Sequence, residues 1–516
     1  LAHMRVLASD EFEGRGPGTP GDTRTVDYLV RQFKRHGLAP GNPDGSYVQR
    51  VPLMGFETSS RVSLTTKKGT FELERLKDYV AISRLARADL EALELVFVGY
   101  GTVAPEYGWD DYKGLDVKGK AIVMLVNDPQ VPSAADPARL DDALFRGKAM
   151  TYYGRWTYKY EIAKEKGAAA AILVHETGPA GYPWEVVSGS WGREGFDLAG
   201  PDAASAHVPV EGWIQRAVAE RLFAESGLDF EQARAAALKR DFRPIALPGA
   251  RASFACSAKT RQIESSNVVA LRPGRSRPDE LVVLTAHWDH LGHDPSLAGD
   301  GIYNGALDNA SGTAALLELA QAFQRLDPER SILFLAVTAE EKGLLGSKHY
   351  AAHPLYPLAK TLANINMDGL NPFGRTLDVV GVGHGQSTLD ELLAEECARQ
   401  GRRVVPDPDS DKGYYFRSDH FSFVKQGVPA LYAESGVEFR GRPEGWGQAQ
   451  RERYTAEDYH KPSDEMRDDW DLSGALEDVA LYLRIAWRIS EGTEWPAWKD
   501  GSEFKAVRAA MLQKAR

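Results

Sequence analysis

The chain has 516 residues, 43% hydrophobic and 26% charged, with a formal net charge of -11. At roughly 150 residues per domain it has room for two or three domains, and the composition excludes the disordered and fibrous classes. The acidic balance argues against nucleic acid or an anionic membrane surface as a main partner. The longest apolar runs, AIVMLV ending at Val126 and AAAAILV ending at Val174, fall far short of the roughly 20 residues a membrane span needs.

Two cysteines, Cys256 and Cys397, are too few for a disulfide scaffold or a thiolate zinc site. They read either as one bridge or as two buried thiols. The opening LAHMRVLASD has no charged-then-apolar leader, so any export signal is expected to have been removed or never to have existed.

Taken in chain order, Ser9 to Gly21 is a glycine- and proline-rich turn segment in which Glu11, Glu13 and Arg15 read as solvated or capping charges. Thr23 to Arg35 places Val26, Leu29, Val30 and Phe33 at helical spacing, with Gly37 as a stop. From about Thr70 short strand patterns alternate with turn signals, and Gln215 to Leu238 reads as an alanine-rich helix. This middle block lacks the clustered acids and histidines of the second half and is expected to be a separate domain. Its segments VGYG (Val98 to Gly101), DYKGLDVKGKAIV (Asp111 to Val123) and AKEKGAAAAILV (Ala163 to Val174) resemble the protease-associated domain over roughly Leu76 to Pro248. That module is inserted into several families of secreted or lumenal peptidases, where it helps cover the substrate entrance.

Beyond Ser257 strands and helices alternate, which predicts a largely parallel sheet with helices on both faces. Leu281 to His290, LVVLTAHWDH, is an apolar strand running into His287, Asp289 and His290. Ser331 to Glu341, SILFLAVTAEE, ends in two glutamates, and Leu362 to Asp368, LANINMD, in an aspartate. Between the first two of these, the stretch after Ser311 and Gly312 reads as a mostly apolar helix; Val428 to Glu434 reads as a further buried strand and Leu476 to Ser490 as a long C-terminal helix. Open parallel sheets collect ligands at the carboxyl ends of their strands, so these endings are expected to meet in one crevice.

Zinc accepts imidazole nitrogen and carboxylate oxygen, and a pair of zinc ions needs a bridging ligand, normally a carboxylate. His287, Asp308, Glu340, Glu341, Asp368 and His460 supply such a set. Singly, each has an ordinary reading as a core histidine, a helix cap or a surface charge. Their joint arrival at strand ends reverses that preference.

AHWDH (Ala286 to His290), ALDNASG (Ala306 to Gly312), TAEEKGLLGS (Thr338 to Ser347), NINMDG (Asn364 to Gly369) and YHKPSDE (Tyr459 to Glu465) resemble, in order, the motifs of the dizinc exopeptidase family of aminopeptidase Y and glutamate carboxypeptidase type. The opening LASDEFEGRGPGTPG (Leu7 to Gly21) is similar to the segment that precedes the inserted domain in bacterial members. The resemblance implies a zinc exopeptidase fold: an α/β domain with a mixed, largely parallel sheet flanked by helices on both faces, and a β-rich α+β protease-associated insert. The boundaries expected are 1–68 and 251–516 for the catalytic domain and 69–250 for the insert.

The same resemblance assigns His287 and Asp368 to one zinc and Glu341 and His460 to the other, with Asp308 bridging. It makes Glu340 the general base, Asp289 the acid that orients the His287 imidazole, and Tyr459 the donor to the developing oxyanion. His290 and His293 are not ligands in this mapping, and a cis peptide is expected after Asp308. The implied activity is removal of N-terminal residues from peptides with a free amino terminus, by a secreted or periplasmic enzyme carrying two Zn2+ ions. Tyr414 to Phe423, with Arg417, is a candidate side-chain pocket. Alternatives are a carboxypeptidase or dipeptidase of the same family, a glutaminyl cyclase, or a receptor-like binding protein, of which the last predicts gaps in the metal set.

Overall fold

Successive side chains of LVVLTAH point to opposite sides of the strand, and both sets begin with apolar residues, Leu281 and Val283 on one side and Val282, Leu284 and Ala286 on the other, so this strand has to be covered twice. The computed structural model describes residues 1–201 and 203–515. The chain forms two units, one of Leu1–Leu53, Ile263–Pro408 and Arg417–Arg516, the other of Met54–Gln262 and Asp409–Phe416.

In the first unit the longer strands that build the sheet are β1 (Ile245–Arg272, from Ile263 onward), β2 (Arg277–His287), β3 (Arg330–Val337), β4 (Thr361–Asn366), β5 (Asp378–Val382), β6 (Arg403–Pro406) and β7 (Ala430–Ser435). They lie in the order β6-β5-β7-β4-β2-β3-β1. The central strands β3, β2, β4 and β7 are all parallel; β1 is antiparallel to β3 and β5 to β7.

Val282, Leu284 and Ala286 enter a core closed by helices α1 (Pro20–Arg35), α2 (Gly312–Gln324) and α5 (Ser473–Glu491). The alternate residues Leu281 and Val283 face Tyr350 of α3 (Leu345–Ala352) and Phe423 of α4 (His420–Lys425). A strand buried on both faces has no solvent-facing polar side, which is why this run reads as nearly continuously apolar instead of alternating. Helix α1 starts earlier than its apolar spacing predicts, because Thr19 caps it by accepting the Asp22 N–H and Pro20 occupies the first turn.

In the second unit Arg87–Phe97, Ala121–Leu125, Ala170–His175 and Val210–Gln215 run parallel. Tyr79–Ile82 is antiparallel at one edge and residues 245–257 of β1 at the other. Helices Arg216–Glu225 and Phe230–Ala236 pack on one face, and Trp156–Glu165 and Trp184–Trp191 on the other. The single helix expected over Gln215 to Leu238 is thus two. Gly227 adopts φ +78 between them, and Asp229 caps the second by accepting the Gln232 N–H at 2.8 Å. Cys256 and Cys397 are free thiols, each buried in the core of its own unit. Among the described residues no helix is long and apolar enough to cross a membrane.

The second unit also buries an ionic cluster. Arg84 pairs with Asp197 at 2.5 Å and Glu211 at 2.7 Å, and His207 meets the same two acids at 2.9 and 3.2 Å. One arginine cannot neutralise two carboxylates, so protonated His207 completes the balance. Burial lowers its affinity for a proton, but Asp197 and Glu211 outweigh burial and leave its pKa raised. A histidine with a raised folded-state pKa stabilises fully below its unfolded value of about 6.5 and loses that contribution as pH climbs through the folded value. The melting temperature should therefore fall on going from pH 6 to pH 9, by about 2–4 °C for each kcal/mol lost. His207→Gln should be less stable at pH 6 and show a flatter profile. An unchanged profile in that variant would show that the cluster does not depend on the imidazolium.

Candidate metal centre

Strand β2 delivers His287 at its carboxyl end, β3 runs on into Glu340 and Glu341, and β4 into Asp368. Because these strands are adjacent and parallel, their ends lie side by side. The His287 Nε2 is 3.1 Å from Asp368 Oδ1, 3.3 Å from Asp308 Oδ1 and 4.0 Å from Glu340 Oε2. The His460 Nε2 is 3.2 Å from Asp308 Oδ2 and 3.0 Å from Glu341 Oε2. Asp308 thus turns one oxygen to each imidazole. Potential ligand atoms of His287, Asp308 and Asp368 all lie within 4.8 Å of one another, as do those of His290, Asp308 and Glu341.

The donor set fits zinc: imidazole and carboxylate without thiolate, with one carboxylate shared. Ligand atoms at about 2.0–2.1 Å from a tetrahedral zinc stand about 3.3 Å apart, which matches the separations of 3.0 to 3.3 Å found here.

Electrostatics separate the two neighbouring glutamates. Burial and Asp308 push Glu341 up, but His460 and His290 prevail and hold it at about 2. Glu340 is driven well above the usual carboxylate range, first by burial and then by Asp368, Glu341 and Asp419, against the pull of His287. Burial would depress both histidines, yet Asp368, Glu340 and Asp308 raise His287 well above its ordinary value, and Glu341 and Asp308 push His460 up to about 10. Two groups of one kind with opposite shifts suit different tasks, a ligand and a proton acceptor.

The backbone is shaped to deliver these groups. Ala339, just before Glu340, and His460 both have positive φ, 53° and 57°, a region that costs energy for residues other than glycine and persists where surroundings impose it. Gly305 (φ 52°) admits no side chain, since a Cβ there would meet the Asp308 carbonyl and, at 2.5 Å, the His290 ring. The Asp308–Asn309 peptide is cis.

Around this set lie partners of several kinds. Asp289 is fully buried; its Oδ1 accepts the Glu340 N–H at 3.0 Å and lies 3.8 Å from His287 Nδ1, whose nearer contact is the Asp289 carbonyl at 3.2 Å. Tyr459 stacks on His460 with ring centroids 3.9 Å apart and stays 45% exposed. His293 is exposed in the Gly292–His293 strand.

Sequence reasoning missed four further contacts. His290 Nδ1 lies 2.6 Å from Glu341 Oε1. Ser418 Oγ donates to Asp368 Oδ2 at 2.5 Å and receives the Asn366 amide at 2.7 Å. It falls inside the stretch flagged as a side-chain pocket, of which Tyr415 and Phe416 are buried. Asp464, within YHKPSDE, accepts the Leu307 and Asp308 N–H groups at 3.0 Å each and the Tyr454 hydroxyl at 3.1 Å. Arg15, expected at the surface, is completely buried. Glu13, Gly14 and Arg15 all have positive φ, which turns the chain sharply enough to send the guanidinium inward; Glu11 is exposed and Glu13 pairs with Arg24 at 3.0 Å.

Residues 267–484 match the sequence model of peptidase family M28. Aminopeptidase YwaD of Bacillus subtilis (strain 168) is 33% identical over 118 residues, 23% of this chain and 24% of that protein. Leupeptin-inactivating enzyme 1 of Streptomyces exfoliatus is 28% identical over 239 residues, 45% of this chain and 50% of that protein. The matched segments therefore span a quarter to a half of these curated relatives. Among solved structures, an aminopeptidase from Aneurinibacillus sp. strain AM-1 aligns with a TM-score of 0.50 at 19% identity, over 96% of this chain and 94% of that one. The likeness shows a shared fold, the large mixed and mostly parallel sheet with its helices.

Proposed function

We propose that this chain, whose residues 267–484 match the sequence model of peptidase family M28, is a dizinc aminopeptidase that removes N-terminal residues from peptides. The observation that carries the reading is the position of Asp308, with one carboxylate oxygen 3.3 Å from His287 and the other 3.2 Å from His460. His287 and Asp368 would hold one ion, Glu341 and His460 the other, and Asp308 both. Bound there, zinc supplies the Lewis acidity that makes water an available nucleophile near neutral pH.

The protein's own groups then divide the remaining work. Glu340 makes no close imidazole contact and its carboxylate has a raised proton affinity, so it accepts the proton of the attacking water and returns it to the leaving amine. Asp289 holds the Glu340 backbone in place and fixes the side of His287 that faces away from the ligand cluster. The Tyr459 hydroxyl, held above its ordinary pKa beside the carboxylates of Asp308, Glu341, Glu340 and Asp368, stays protonated and donates to the developing oxyanion.

We assign the protease-associated module to residues 69–250, inside the unit Met54–Gln262, and its resemblance to modules of secreted and lumenal peptidases supports a location outside the cytoplasm. The test is hydrolysis of a panel of aminoacyl-nitroanilides, with N-blocked and C-blocked peptides alongside, before and after zinc removal. Cleavage should need a free amino terminus, stop with a chelator and return with Zn2+. Turnover that survives exhaustive chelation would end the metallopeptidase reading, and a requirement for a free carboxyl terminus would move it to a carboxypeptidase.

A further inference from the structure

The N-terminal turn contributes a cation to the metal centre from behind. Arg15 is fully buried and, among the described residues, has no carboxylate in ion-pair contact; its guanidinium instead donates to backbone carbonyls, Nε to Trp288 at 2.8 Å, Nη1 to Leu7 and Asn304 at 2.6 Å each, and Nη2 to Gly305 at 2.9 Å. Trp288 lies between His287 and Asp289 at the end of β2, while Asn304 and Gly305 open the segment that presents Asp308. One planar group thus bridges the two pieces of backbone that carry a terminal ligand and the shared ligand.

Nothing about the turn leaves that contact loose. A Cβ on Gly14 would come within 2.6 Å of the Tyr303 carbonyl, so the chain lies directly against the hairpin that leads to Asn304. Asn304 is gripped from its other side as well, its Nδ2 donating to Asp10 and Glu465 at 2.8 Å each, and Glu465 closes the motif that holds His460. Burial lowers the Arg15 pKa to about 10, against the pull of Asp464, Asp289, Asp308 and Glu341, so the group is charged at neutral pH.

We propose that Arg15 is a positioning residue of the dimetal site: by clamping the Trp288 carbonyl to those of Asn304 and Gly305 it sets the distance between His287 and Asp308. The inference rests on the metallopeptidase reading above. A planar fork of fixed donors spans three carbonyls that a lysine ammonium, a point charge on a flexible stem, reaches only in part. Arg15→Lys therefore keeps the charge and loses the spacing.

The test uses the full chain and Co2+ as the probe, with affinity read from visible absorption in competition with a chelator. Kinetics are measured on an aminoacyl-nitroanilide, and melting on the metal-free protein. Arg15→Lys should fold, bind Co2+ about 10–100-fold more weakly and lose kcat with little change in KM. Asp10→Ala removes an exposed partner of Asn304 without touching the core, and should show the same signature at a few-fold, with the metal-free melting temperature nearly unchanged. A residue that only holds the fold together would lower melting while leaving Co2+ affinity and kcat intact in the folded fraction. Wild-type Co2+ affinity and kcat in folded Arg15→Lys would overturn the proposal, and if that variant does not fold, unaltered Co2+ affinity in Asp10→Ala does so. Failure of the wild-type chain itself to bind Co2+ would instead remove the functional reading beneath it.

Discussion

Glu340→Gln should retain its full complement of zinc and lose about 10²–10⁴-fold in kcat. The contrast with its neighbour is what makes the result informative. Glu341 has an oxygen 3.0 Å from His460 and another 2.6 Å from His290, whereas the nearest imidazole to Glu340 is 4.0 Å away. Glutamine is isosteric and leaves the backbone N–H of residue 340 on Asp289, so the framework of the site is kept while the group that takes a proton is gone. Glu341→Gln, by comparison, should release metal.

Stability gives an independent reading of the same variant. A buried carboxyl with a raised folded-state pKa destabilises as pH rises from its unfolded value, about 4.3, through the folded value. At neutral pH the metal-free Glu340→Gln protein should therefore melt no lower than the metal-free wild type. Zinc per chain, kcat and metal-free melting temperature together check the assignment. If zinc departs along with activity, Glu340 is a ligand and the base has to be sought elsewhere.

The reach of the sequence is clearest where local pattern and tertiary position coincide. LVVLTAH and SILFLAV are mostly apolar, and LANIN is buried along its whole length, because β2, β3 and β4 are covered on both faces, and the polar residues that follow stand at neighbouring strand ends because those strands are parallel. Knowing the strand type was enough to place His287, Glu340, Glu341 and Asp368 together. Asp308 and His460 sit on no strand, and only their motifs marked them. Arg15 was invisible for a different reason: an arginine in a turn rich in glycine and proline looks solvated, and no local signal announces three consecutive residues with positive φ, two of them not glycine. Ser418 and Asp464 reach the site through contacts 50 and 156 residues away in sequence, a separation that periodicity does not report. Likewise the turn residues Pro248 and Gly249 break the pattern of β1, yet the strand continues from Ile245 to Arg272 with shifted register.

Asp308→Asn should cost both zinc ions at once and bring activity below detection. Each carboxylate oxygen of Asp308 faces a different histidine, and its backbone N–H is held by Asp464 at 3.0 Å, so the carboxylate is presented to both halves of the site. Asparagine offers one neutral acceptor oxygen and an NH2 group that binds no cation, so one half of the site loses its shared ligand outright and the other exchanges a carboxylate for a weaker amide oxygen. Ions that each sit at a hundred times their Kd contribute about 5 kcal/mol between them, so holoprotein melting should drop by on the order of 10 °C. Melting alone does not separate the causes, however. His287 and His460 hold Asp308 well below the usual carboxylate range against the effect of burial, so in the metal-free chain it is also an ion-pair partner, and that stabilisation is present at neutral pH and lost only in acid. Asparagine removes it too. The decisive quantity is therefore zinc per folded chain, with His460→Ala as the comparison: that variant vacates one side only and should keep the ion at His287 and Asp368. Full zinc occupancy in Asp308→Asn would mean that the two ions, if both bind, do not share this carboxylate.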